Sequence, residues 1–120
     1  MTRKQALAEL IEKVEAGKAE GRYRLTAKAF SQSVPHSFVW AAMDGSLDAA
    51  KALHEAVLPG WIVHDFSQNS RSMGWNIVLA SKSGTYSTSH QGGNVGYCDN
   101  PARAWLLAIL RALHAQEGAP

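Results

Sequence analysis

The sequence predicts one α/β domain of the α+β type, an antiparallel sheet of three or four strands packed by about three helices in two or three layers. Three observations predict it. Well-punctuated helical patterns open and close the chain, and a third lies near its middle. Three short strand-like runs follow one another between residues 61 and 90. Their connections are too short for parallel crossovers, so an antiparallel meander is expected. The 120 residues fit a single domain, 1–120, and such a chain buries roughly two-thirds of its unfolded surface without metals or disulfides.

The first helix is read from Leu7, Leu10, Ile11 and Val14, which share one side at the three-and-four spacing. Thr2 and Gln5 have capping-box spacing, Glu9 and Lys13 can pair across a turn, and Gly17 is a stop. Residues 18–45 leave two readings open. Tyr23, Leu25 and Ala27 alternate with polar residues as in a strand, yet Leu25, Ala29 and Phe30 also suit a helical turn. Pro35 disfavours one continuous helix. Phe38, Val39, Trp40 and Met43 then form an apolar cluster before the Asp44-Gly45 turn signal.

Ser46 as N-cap and Asp48 in the first turn start the next helix, with Leu47, Ala50, Leu53 and Val57 on one side and Pro59-Gly60 as its end. Residues 61–66, 74–81 and 85–90 are the strand-like runs. The middle one is apolar on both sides, as in a central strand covered on two faces. The closing helix begins with Asn100 as cap and Pro101 at the first helical position. Ala102, Trp105, Leu106, Ile109, Leu110 and Leu113 give it a side wide enough to cover a sheet.

Composition narrows the function classes. Apolar residues make up 46% and charged ones 18%, which suggests neither disorder nor a coiled coil. The longest apolar runs, 38–43 and 104–110, are far short of the ~18 residues of a bilayer-spanning helix, so no membrane partner is expected. Glu9 and Glu12 interrupt the stretch a signal peptide would need, and Cys98 is the single cysteine. A cytoplasmic location follows as the expectation. Lys and Arg number 12 against 10 Asp and Glu, too balanced for a strong phosphate footprint.

The segment Gly45-Ser-Leu-Asp-Ala-Ala-Lys-Ala-Leu-His-Glu-Ala-Val-Leu-Pro-Gly-Trp61, with Asn100-Pro101-Ala102 at the last helix, resembles the phage α-β-α (ABA) sandwich domain family. The resemblance covers residues 1–17 and 45–116 and carries no catalytic residues to map. It implies a phage or prophage origin, helices packed over a sheet, and residence in the host cytoplasm.

Familiar chemistries find little purchase. His36, His54, His64, His90 and His114 have no metal-ligand spacing, so no metal and no cofactor are expected. His54 and His114 are read as helix-surface residues. Cys98 lacks the signature of a Cys-His nucleophile. Ser67, Ser70, Ser72, Ser81, Ser83, Ser87 and Ser89 include no nucleophile elbow and read as turn or solvent-facing positions. Gly92-Gly93-Asn94-Val95-Gly96 lies between strand and helix but lacks a phosphate-loop ending. Trp61, Trp75 and Tyr86 could share a sheet face, where a row of rings can stack bases, although a core role suits them better.

The resulting expectation is a protein that is no enzyme and works by binding another protein, self-association and inhibition of a host factor being two versions of it. Phe38, Val39, Trp40 and Met43 are its candidate interface. The alternative is a nucleotide or nucleic-acid binder contacting phosphate through Arg22, Arg24, Lys28, Gly92 and Gly93.

Overall fold

The computed structural model describes residues 2–18, 20–30, 34–68, 74–89 and 99–117. Among them are five helices and a three-stranded antiparallel sheet, an α+β fold. The helix α1 (Arg3–Ala16) keeps the expected punctuation. Thr2 Oγ1 accepts from Gln5 N at 3.1 Å, Gln5 Oε1 accepts from Thr2 N at 2.9 Å, and Gly17 ends the helix at φ +68°. Its buried face is Ala6, Leu7, Leu10 and Val14.

The undecided stretch 18–45 folds as two short helices, α2 (Arg22–Ala29) and α3 (His36–Met43). Helix α2 buries Leu25, Thr26 and Ala29, whereas α3 buries Val39, Ala42 and Met43. Eight residues give little helical stability in isolation, so packing holds them, α2 against α1 and α3 against α4 and α5. The helix α4 (Leu47–Val57) is capped by Ser46, whose Oγ accepts from Ala49 N at 3.1 Å. Its buried face is turned from the expected one: Ala49, Ala50, Leu53 and His54 are inside, and Leu47 is exposed.

Strands β1 (Ile62–Gln68), β2 (Trp75–Ala80) and β3 (Tyr86–Thr88) run in the order β1-β2-β3. The β1–β2 register shifts between Val63 and Asp65, with His64 as the extra residue of a bulge. On the inner face Val63 pairs with Leu79 and Phe66 with Ile77, and Ser87 Oγ donates to Ala108 O at 2.7 Å. Ser89 Oγ accepts from Ile77 N at 3.0 Å. Ser87 and Ser89 are therefore buried rather than solvent-facing, because each hydroxyl has a backbone partner.

The helix α5 (Pro101–Glu117) is the centre of the molecule. Asn100 Oδ1 accepts from Ala102 N and Arg103 N, and Pro101 opens the helix. The sheet expected to receive three helices receives α5, which packs on β2 and β3; α1, α3 and α4 pack on α5. Its residues from Leu106 to Leu110 are consecutively buried, so over that stretch it is enclosed all round, while Arg103, Arg111 and His114 on its flanking turns stay half-buried. On the far side of the sheet Ile62 is 62% and Tyr86 58% exposed. The two-sided cover expected for the middle strand is not met, since Asn76 and Val78 stay only half-buried. Trp75 belongs to the inner face and Tyr86 to the outer one, so they form no single row. No described helix is long and apolar enough to cross a membrane.

Candidate protein-binding surface

Helices α2 and α3 meet at a corner where two of the sequence candidates adjoin. Tyr23, on the first turn of α2, is 59% exposed and meets the Trp40 ring edge-on, with centroids 4.4 Å apart at 73°. Trp40 is half-buried because its indole Nε1 donates inward to Thr26 Oγ1 at 3.3 Å. That bond points one edge of the ring into the fold and leaves the rest beside Tyr23. The Arg22 guanidinium lies 5.4 Å from the Tyr23 ring centre and 3.1 Å from Asp44 Oδ1. Its pKa is raised above the ordinary arginine value, first by the Tyr23 side chain and then by Asp44, with desolvation opposing. Arg22 is thus a fixed positive charge spread over an aromatic face.

The four candidate apolar residues of α3 divide. Val39 and Met43 are core, while Phe38 and Trp40 are half-buried at its rim. The spacing explains the division: Val39, Ala42 and Met43 lie on one helical side, and Trp40 lies a third of a turn away. Arg22 Nε and His36 Nε2 are shielded from solvent with no hydrogen-bond partner among the described residues. The His36 ring is 6.5 Å from Trp40, so both orphaned nitrogens belong to this corner. Unsatisfied buried groups cost about 1–3 kcal/mol each; Asn76 Oδ1 on β2 and Arg103 Nε on α5 are two more among the described residues.

Among the described residues, the candidate phosphate contacts Arg22, Arg24 and Lys28 point to different surroundings. Arg24 points to Glu9, 4.0 Å away, and Arg22 to Asp44 on the other side of α2. Lys28 lines a separate groove of about 640 Å³ with Arg3, Phe30, Val34 and Val57. Gly92, Gly93 and the rest of residues 92–96 lie outside the described residues, as do His90 and Cys98.

The remaining histidines are dispersed, and no group of three or more His, Cys, Asp or Glu among the described residues is arranged to hold a metal. His54 corrects the sequence expectation. It is only 5% exposed, with Nε2 donating to Trp61 O at 2.8 Å and Nδ1 accepting from Trp105 Nε1 at 3.1 Å. A neutral imidazole satisfied at both nitrogens is a structural joint, here tying α4 to α5 and to the start of β1.

Tyr23 is the member of the corner that sequence reasoning missed as a surface aromatic. Its signal was the spacing Tyr23-Thr26, one turn of helix, which alternation with Arg22 and Arg24 obscured. No family model matches the chain, and neither a curated protein nor a solved structure matches it.

Proposed function

We propose that this chain is a non-catalytic protein-binding module of a phage or prophage, acting in the host cytoplasm through the α2–α3 corner. The observation that supports it is the grouping of exposed Tyr23, half-buried Trp40 and the paired charge of Arg22 on one surface. Tyr, Trp and Arg are the residue types that dominate binding energy at protein interfaces, because large rigid rings and a weakly hydrated guanidinium lose little on desolvation. Phe38 at the rim extends the apolar area, and Asp44 and Arg24 supply a charged border. The phage origin rests on the resemblance of residues 45–61 and 100–102 described above. Inhibition of a host factor is the version of this role that suits a small protein with a compact recognition surface.

The experiment is affinity capture from a bacterial host, identification of the captured protein, and calorimetric titration of that protein with wild type and Tyr23→Ser. The expected result is a loss of at least about tenfold in affinity with the melting temperature lowered by no more than about 5 °C. Equal affinity of the two forms would move the interface away from the corner. The nucleic-acid alternative predicts a nanomolar complex with random duplex DNA at about 150 mM salt, weakened by Arg22→Ala and Arg24→Ala. Our reading predicts DNA binding no tighter than micromolar under those conditions.

A further inference from the structure

We propose that the edge of β1 pairs, antiparallel and in a single register, with the β1 edge of a second copy of this chain. This concerns a different surface from the α2–α3 corner, so either reading can fail without the other. β1 lies at one end of the sheet order, and over residues 62–67 its outer edge faces no other strand among the described residues. An edge strand presents unpaired backbone N–H and C=O groups, and the occupant that satisfies them in a row is another strand.

The inner face identifies which strand. Val63 and Phe66 point to the α5 side of the sheet, where core residues would normally be covered, yet they are 38% and 40% exposed. The reason is position: α5 packs behind β2 and β3, and Phe66 touches it mainly through the Trp105 ring, 6.0 Å away. A partner strand that extends the sheet must bring apolar residues to this same side.

A second β1 does so in one register. Pairing Ile62 with Ser67, Val63 with Phe66, and His64 with Asp65 places like faces opposite throughout. Ile62, Asp65 and Ser67 are outer-face residues, and Val63 and Phe66 are inner-face ones, because the bulge at His64 resets the alternation between them. Shifting the register by one residue either way sets an inner residue against an outer one. In the matched register the two-fold axis passes between His64 and Asp65, so position 64 of each copy lies opposite position 65 of the other. Asp65 is already held in place there, its Oδ2 accepting from Asn76 Nδ2 at 2.9 Å and from Ser67 Oγ at 3.0 Å. His64 is exposed. The bulge lies on the axis, so both strands bend at the same point, and Val63 of each copy covers Phe66 of the other.

Sedimentation equilibrium of the full chain, with His64→Asp and His64→Lys beside wild type, tests this. The wild type is expected to be dimeric at about 100 μM. His64→Asp sets carboxylates opposite each other twice and should raise the dimer dissociation constant at least about tenfold. His64→Lys sets opposite charges across the axis and should leave that constant within about threefold or lower it. Position 64 is exposed, and circular dichroism should show both variants folded. A wild type that stays monomeric at that concentration overturns the proposal. So does a dimer that both variants weaken equally, or that His64→Asp leaves unchanged.

Discussion

The α5-centred core and the α2–α3 corner use the same kinds of residue in opposite ways. Around α5 the aromatic and polar side chains mostly pair inside the fold: Trp105 donates to His54, His54 to Trp61, and Ser87 to Ala108, although Arg103 Nε is buried with no hydrogen-bond partner among the described residues. At the corner Trp40 has one inward bond, Tyr23 stands in solvent, and Arg22 Nε and His36 Nε2 have no partner among the described residues. The difference teaches that stability is concentrated in one half of the fold and that the other is held by it. A short helix carried on a finished core can keep exposed rings and orphaned donors, because the core supplies the folding free energy.

Substitutions sharpen that contrast in graded steps. The largest effect is expected from Leu106→Ala, which empties a fully buried site on α5. Denaturant titration should show a loss of about 2–5 kcal/mol. His54→Ala strands the Trp105 donor and opens a cavity, and about 2–4 kcal/mol should be lost by the same measurement. Gly45→Ala is a middle case. Gly45 sits at φ +107°, and an added Cβ would come within 2.9 Å of Asn100 Nδ2, the side chain that caps α5. Thermal unfolding should report about 1–3 kcal/mol of destabilisation. Gly84→Ala, at φ +89° with open space around it, carries the backbone strain alone and should cost about 1 kcal/mol. Tyr23→Ser is the smallest, within about 0.5–1 kcal/mol of wild type despite the size of the side chain lost, because that ring is mostly in water.

The sequence was most legible where local chemistry decides local structure. The caps Thr2, Ser46 and Asn100, the stop at Gly17 and the opening Pro101 all act within a few residues, and each helix they mark is present. Helices α2 and α3 were not legible because their starts, Gly21 and Pro35, make no side-chain cap bond, and eight residues carry too few apolar positions to set a period. His54, Ser87 and Ser89 read as surface residues because their hydroxyl and imidazole groups suggest water. Their burial depends on partners such as Trp105 and Ala108, and those partners are far away in the chain. The apolar run 104–110 held a clue to α5's place, since about two consecutive turns without a polar residue have to be enclosed. The corner was half-legible: the apolar cluster and the basic run were visible separately, and the α2–α3 packing that joins Tyr23 to Trp40 was not.

Native-state amide hydrogen exchange compares the two regions within one sample and without substitution. The account predicts that the slowest amides lie in α5 from Leu106 to Leu110 and at Ile77 and Leu79 of β2, exchanging only through global unfolding. Amides of α2 and α3 should exchange through smaller local openings, with apparent free energies at least about 2 kcal/mol lower. Equal protection across α2, α3 and α5 would contradict a stable core carrying a separable recognition surface.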